Sequence, residues 1–338
     1  MGGSCLNRGY VPRADGGSVP DLVYYLFANL LQAVFLVLLS PLVSGVLARI
    51  EEMVQGKHGP SIFQTYRDIA KLFAKEELVP EDSSWVFRFA PRIQFVMPIF
   101  VVLLVPALTA YPLFFAFMGD MVAAGFFLAL GGFFVALAAM DTGNVYGPVG
   151  ASRTRMVGFL AEPVFIMVFF SVSYIANSTI PYAVNTAFSA SWAATLEPAH
   201  LLVLVAFFML ILAENDRIPV DSADGKVEIA MIGHSKNLEY SGPGAALMKW
   251  GGSMKLMLLS IIFLNVLLTP WGLATTKAWG DIFLAIPMVL AKILVFLLVL
   301  ATVEMSLAKL RLFRISEFLA TAFVIVVFAM SVRLVGIA

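Results

Sequence analysis

Eight apolar runs, set apart by charged or proline-bearing connections, leave this chain few ways to fold. They lie near residues 22–48, 92–115, 121–140, 156–177, 199–214, 246–271, 281–304 and 316–336. A helix rises about 1.5 Å per residue, so about 20 apolar residues cross the roughly 30 Å of a bilayer's hydrocarbon core. The fifth run falls short, so it either extends into the charged connection after it or tilts less than its neighbours. Only 13% of the 338 residues are charged and 60% are hydrophobic, where a soluble domain carries about a quarter charged. No segment alternates polar and apolar residues as a barrel strand does, and helices then satisfy the backbone in lipid. The sequence predicts an all-α, polytopic membrane protein with about eight transmembrane helices.

Net charge is zero, but its distribution is not. One set of connections holds Arg49, Lys57, Arg67, Lys71, Lys75, Arg88, Arg92, Arg153, Arg155, Arg217, Lys226, Lys236, Lys249, Lys309, Arg311 and Arg314. The other side keeps Arg8, Arg13, Lys277 and Arg333. By the positive-inside rule the first set is cytoplasmic and both termini lie outside. The expected location is the cell membrane, the inner one in a Gram-negative source. An outward tail, 1–21, would precede a single membrane domain, 22–338, with cytoplasmic loops 49–91, 141–155 and 214–245. The first apolar run is too long, and its leading tail too polar, for a cleavable signal. One cysteine, Cys5, excludes an internal disulfide and an iron–sulfur cluster held by this chain alone.

Each cytoplasmic loop carries a pattern. Around 61–75, Ile62, Tyr66, Ile69 and Phe73 recur at helical spacing, with Gln64, Arg67, Asp68 and Lys71 on the other side. That predicts an amphipathic helix on the membrane surface or under a partner. The second loop, MDTGNVYGPVGASRTR, has glycines at 143, 147 and 150 that match no phosphate-binding spacing. A compact turn capped by Asp141 and Ser152 is expected instead. The third loop is the densest in charge, with Glu214, Asp216, Asp221, Asp224, Glu228 and Glu239 beside Arg217, Lys226 and Lys236. After Pro219, the spacing of Asp221, Asp224 and Glu228 puts three carboxylates on one helix face. Asp221 also suits the N-cap of that helix.

Four further ionisable groups interrupt the apolar runs. Glu162 is expected one to two turns inside the fourth span, facing the bundle interior, where a carboxylate is costly and a proton-accepting role fits. Lys255 lies in the sixth span and either snorkels to the interface or takes part in the same chemistry. Lys292 and Glu304 stand about 18 Å apart along the seventh helix, too far to pair. Lys292 therefore needs a partner on another helix or must be neutral. Together these groups form a line from the third loop into the membrane, able to relay protons or transmit a charge change.

Ordered motifs then point to a family. GPSIFQTYRDIAKLFAKE with SSWVFRFAP, MDTGNVYGPVGASR with LAEP, ENDRIPVDSADGKVEIAMI with LEYSG, MKWGGSMK, and AKILVFLLVLATVEMSLAKLRL cover most of the chain. The sequence resembles the membrane subunit shared by respiratory complex I (its H subunit, mitochondrial subunit 1) and the group 4 NiFe hydrogenases. DTG, GASR and EP, with YRDIAKL and RIPVD, are nearer the formate hydrogenlyase pattern.

The resemblance implies an eight-helix subunit whose second to sixth helices are similar to a five-helix half of antiporter-like subunits. It also implies a foot on which a peripheral electron-transfer arm docks. The family's acidic funnel falls on Glu162, Glu214, Asp224, Glu228 and Glu239, and Lys255, Lys292 and Glu304 match positions of the hydrogenase branch. Docking would fall to Gln64, Arg67, Asp68, Lys71, Asp141, Arg153, Arg217, Asp221 and Lys226. Expected partners are hydrogenase-like large and small subunits, an iron–sulfur subunit and antiporter-like membrane subunits, in a lipid bilayer and without nucleic acid. The NiFe centre and iron–sulfur clusters belong to those partners, and this chain is expected to hold no cofactor, metal or catalytic residue.

In one place the sequence departs from the family. Where relatives often have EAExE, this chain reads DGKVE, so Lys226 replaces a carboxylate. The alternative within the family is the quinone-site subunit of an NADH dehydrogenase-like complex, with helix 61–75 framing the chamber. A free-standing transporter, which predicts inverted repeats with helices interrupted at matching places, is disfavoured, because Pro163 and Pro287 interrupt two spans without any accompanying symmetry between the halves.

Overall fold

The computed structural model describes residues 19–190, 195–221, 232, 233 and 235–336, and these form a helical bundle. Its helices are α1 (Val19–Val54), α2 (Gln64–Phe73), α3 (Trp85–Leu104), α4 (Met121–Met140), α5 (Tyr146–Ala176) and α6 (Pro181–Ser189). They continue as α7 (Pro198–Glu214), α8 (Gly242–Ile261, extended by a π-helical stretch Ile262–Leu268), α9 (Trp279–Ser306) and α10 (Leu312–Gly336). Seven are long and apolar enough to cross a membrane. The eighth, α7, has 17 residues and reaches only about 25 Å. It is buried along most of its length, so neighbouring helices rather than lipid set the length it must match.

α8 is the axis of the bundle. Its most apolar window is 83% buried, against 22–50% for the other spanning helices. α1, α2 and α3 pack on it, α9 leans on α1, and α3, α4 and α5 follow in order around the bundle. α10 closes the far side against α5 and α7. The chain therefore does not end beside the helix that precedes it.

The second span runs over 85–104 rather than 92–115. Ser84 caps its start, its Oγ accepting from the Val86 amide at 3.2 Å. Pro106 forces its predecessor out of helical geometry, and Val105 is extended. Gln32 of α1 takes up the carbonyls left open, donating to Val102 at 2.6 Å and Val105 at 2.8 Å. Residues 105–120 then cross the end of the bundle, where Ala110 donates to the Ala274 carbonyl and Ala274 to that of Leu108, joining this connection to the one after α8.

The fourth span begins ten residues before the expected 156. The glycine-rich loop is mostly helix: Gly143, at φ 67°, turns the chain before α5, whereas Gly147 and Gly150 permit close contact. A Cβ on Gly147 would lie 2.3 Å from the Ala139 carbonyl, and one on Gly150 would lie 2.1 Å from Ser235 Oγ. Ser152 caps nothing; its hydroxyl donates to the Val149 carbonyl within α5. Asp141 supports the start of α3 instead, accepting from the Ser84 amide and hydroxyl at 2.7 Å each.

α2 is shorter than 61–75 and rolled from the expected orientation. Thr65 and Ile69 are buried, while Phe63 and Phe73 are exposed. Tyr66 donates its hydroxyl to the Leu38 carbonyl of α1.

Candidate functional site

At the end of the bundle where α2 lies, the helices part around a cavity of about 650 Å³. It is lined by ionisable groups from α1, α2, α5, the segment after α7, and α8. Apolar helix faces bring those groups together, because each helix buries its hydrophobic residues in the common core and leaves its few charges nowhere else to go. Nearly every charge has found an opposite one. Removing one member of a buried pair costs about 3–5 kcal/mol, so such pairs hold their geometry firmly.

Within the cavity, Lys255 of α8 meets Glu214, the last residue of α7, at 2.6 Å. Both are largely buried; Lys255 does not snorkel. Glu162 lines a narrow gap with Glu214, walled by Gly125, Leu128, Phe165 and Phe169. Because α5 starts early, Glu162 lies about 24 Å into its helix rather than one to two turns. Its carboxylate is 37% exposed and lies 3.5 Å from Arg155, about two turns earlier on the same helix. It faces a cleft at the edge of the bundle, not the sealed interior.

Nearer the loops, Arg217 bridges two carboxylates. Its Nη1 lies 2.7 Å from Glu51 of α1 and 3.6 Å from Glu304 of α9, which is 3% exposed. Beside it Lys236 meets Asp216 at 2.8 Å. Asp221, 1% exposed, accepts from the Ile232 and Gly233 amides at 3.2 and 2.8 Å and pairs with Lys309 at 2.5 Å. Arg217 and Asp221 are therefore ties inside the subunit, not part of a docking surface. Buried carboxylates attract guanidinium and ammonium groups more strongly than any exposed contact would.

On α2, Gln64 donates to Asp68 at 2.8 Å, and Asp68 takes Lys249 of α8 at 2.7 Å. Burial raises the Asp68 pKa, but the Lys249 hydrogen bond and charge, with Gln64, outweigh it and hold the carboxyl below its ordinary value. Gln64 and Asp68 thus face the cavity, while Arg67 and Lys71 remain exposed. Arg153 is half-buried on α5. Glu239 accepts from Asn144, which joins the third loop to the second. Asp224, Lys226 and Glu228, expected on one helix after Asp221, lie outside the described residues.

Lys292 stands apart, in the other half of the bundle. Its ammonium donates to the Thr269 carbonyl at 2.7 Å, to the Trp271 carbonyl and to Asn265 Oδ1 at 3.4 Å. The expected partner on another helix is thus a set of carbonyl and amide oxygens from the end of α8 and the connection after it.

Sequence reasoning does not single out Glu51, Asp216, Lys236, Lys249 or Lys309 as site residues. Glu51, at the end of a long apolar run, is the one with a local signal. The others acquire meaning only from their partners in the fold, as Lys309 does from Asp221.

Comparison with known proteins agrees with this architecture. A profile of the family described as NADH dehydrogenase matches residues 23–335. Formate hydrogenlyase subunit 4 of Escherichia coli K12 is 32% identical over 285 residues, covering 84% of this chain and 90% of its own. Hydrogenase-4 component C of the same organism is 32% identical over 287 residues, 85% and 89% of the two chains. The H subunit of NADH-quinone oxidoreductase from Carboxydothermus hydrogenoformans is 27% identical over 280 residues, 73% and 74%. Among solved structures, a chain of the membrane-bound sulfane sulfur reductase, an archaeal respiratory membrane complex, superimposes with a TM-score of 0.77. That likeness is one of fold: identity is 17%, over 91% of this chain and 99% of the other.

Proposed function

The chain belongs to the NADH dehydrogenase family, on the side of the formate hydrogenlyase and hydrogenase-4 subunits, and we propose that it anchors and couples a hydrogenase-type membrane complex. In this reading a peripheral arm with hydrogenase-like large and small subunits and an iron–sulfur subunit docks over α2 and the 214–242 loop. The arm's subunits carry the NiFe centre and clusters. Antiporter-like subunits adjoin the membrane face near Glu162. The loop-rich end is cytoplasmic and both termini lie outside, by the excess of lysine and arginine at that end.

The observation that carries the proposal is the series of ion pairs that leads from the loops to Glu214, Lys255 and Glu162. A charge added at the docking surface acts on such pairs with about 4 kcal/mol at 4 Å in a medium of effective dielectric near 20. That is enough to move a proton or exchange a partner, and it lets redox chemistry next door reach the membrane interior without a cofactor in this chain.

Glu162→Gln and Glu228→Gln in the intact complex test the relay. Electron transfer with lost ion movement supports it; both activities unchanged would sink the relay and leave docking. The cavity also favours a second reading, since about 300–1,000 Å³ suits a small organic ligand such as a quinone. Inhibition of the purified complex by quinone-site ligands would support that reading, and proton reduction or hydrogen oxidation insensitive to them would exclude it.

A further inference from the structure

One face of α3 carries two charges that no ion pair accounts for. Trp85, Arg88, Phe89, Arg92, Val96 and Phe100 are all exposed, at a spacing that puts them on one side of the helix. Among the described residues neither guanidinium meets a carboxylate, whereas those of Arg155, Arg217 and Arg333 each do. The Arg92 guanidinium instead lies 5.4 Å from the centre of the Phe89 ring, about one turn back toward the start of the helix. Trp85 meets Phe89 edge to face, the ring centres 5.9 Å apart. Farther along, Phe100 stacks with Phe127 of α4 at 6.3 Å, and Leu130, one turn from Phe127, is exposed.

Bare hydrocarbon, a partner helix and a lipid headgroup compete for this face. α3 has 20 residues, about 30 Å of helix, which is the thickness of the hydrocarbon core. Arg92 stands seven residues past Trp85, so its backbone lies about 10 Å in, where an unpaired cation against acyl chains is costly. A partner helix suits the aromatic rings, but it would need its own carboxylate at that depth, and the Arg92 side chain turns away from it. Folding back over Phe89 is the posture of a side chain that snorkels to the interface. It brings the Arg92 charge to the level of Arg88, beside an exposed tryptophan of the kind that marks the membrane–water boundary. The acids nearest in the chain, Glu81 and Asp82, lie before the helix begins, and α3 itself contains none. Cations at one end and apolar side chains along the rest match the order of chemistry in a phospholipid, phosphate first and then acyl chain. A guanidinium meets a phosphate with two parallel hydrogen bonds.

We propose that this face binds an anionic phospholipid of the leaflet at the loop-rich end. Its phosphate sits between Arg88 and Arg92, and one acyl chain runs along Val96, Phe100 and Leu130. Two cations without an acid select a lipid of net negative charge, because a zwitterionic headgroup brings its own ammonium into a cationic site. The lipid fastens the start of α3, where Ser84 meets Asp141, to the membrane surface. The proposal does not depend on the coupling function above.

The intact complex would be reconstituted in nanodiscs of phosphatidylcholine with a minor share of phosphatidylglycerol that carries a photoactivatable group high on one acyl chain. After illumination, labelled peptides are quantified by mass spectrometry. Leu298 and Val299, exposed near the same end of α9, report ordinary lipid contact. The expected result is that α3 is labelled more than α9, and that its label falls about tenfold in the double variant Arg88→Gln, Arg92→Gln while that of α9 does not change. Unchanged labelling of α3 in that variant overturns the proposal. So does a wild-type complex that labels α3 and α9 alike, or takes a phosphatidylcholine probe at α3 as well as the phosphatidylglycerol one. No label on α3 from either lipid means that a partner subunit covers the face, and also overturns it. Should the double variant fail to assemble, the wild type decides. Replacing phosphatidylcholine with unlabelled phosphatidylglycerol must then reduce the α3 label and leave the α9 label, and an equal response at both helices overturns the proposal.

Discussion

The two ends of the bundle are fastened by different chemistry. At the end that carries the long loops, charge meets charge: Glu51 with Arg217, Glu214 with Lys255, Asp216 with Lys236, Asp221 with Lys309. At the other end most ties are neutral. Gln32 holds the Val102 and Val105 carbonyls, Asn185 joins α6 to the π-helical stretch at Asn265, and the backbones of Ala110 and Ala274 tie two connections together. Arg333 with Glu197 is an ion-pair exception there. A neutral hydrogen bond contributes about 1 kcal/mol net and hardly responds to a distant charge, whereas an ion pair in a poorly solvated cavity does respond. One end is therefore built to stay fixed and the other to rearrange when its electrostatic surroundings change.

That contrast is broken most sharply at Glu214. Glu214→Ala leaves the Lys255 ammonium buried without its partner, and we expect a loss of about 3–5 kcal/mol. It should be visible as a lower melting temperature of the purified complex and reduced recovery of its other subunits. The double variant Glu214→Leu, Lys255→Met should recover most of the stability, since a matched apolar pair is often as good as a buried ion pair. It should nevertheless remain uncoupled. Full coupling in the double variant would mean that this pair is structural.

Gln32→Leu probes the fixed end. It strands two carbonyls, and we expect a cost of about 1–3 kcal/mol in thermal unfolding. The ratio of ions moved to electrons transferred should not change. A shift in that ratio would show that the outer end takes part in coupling.

How far the chain itself announces this division depends on the kind of signal. The spans are legible because twenty or so apolar residues have few alternatives to crossing a membrane. Glu162, Glu214, Lys255, Lys292 and Glu304 are legible because charge within or beside such runs is expensive. Arg217 reads as a surface residue, since nothing near it in sequence reveals Glu51, which is 166 residues away. Gly147 and Gly150 read as a turn, because a glycine needed for close contact with Ala139 or Ser235 is indistinguishable in sequence from one needed for a bend. The start of α3 is hidden because the charged Arg88 and Arg92 resemble loop residues, although both lie within the helix. Local cost can be read from a sequence; the identity of the partner that offsets it is a property of the fold.

The smallest effect is expected where the responsive end meets solvent, at Asp68 and Lys249. This pair is partly exposed, so it contributes about 0.2–1 kcal/mol. A carboxyl whose pKa is lowered by folding stabilises above its unfolded value, here 3.8, and the contribution is lost as pH falls through the lower folded value. The docking of α2 on α8 should therefore be indifferent to pH between about 8 and 5 and loosen only below about 4. Amide exchange in α2 would read this directly. Asp68→Asn should raise exchange there by about two- to fivefold at neutral pH and remove the loosening in acid. If α2 instead loosens between about pH 8 and 6, a group other than Asp68 governs it. The responsive end would then reach out to the surface helix itself, because the cover of the cavity would move with the same protons that the cavity handles.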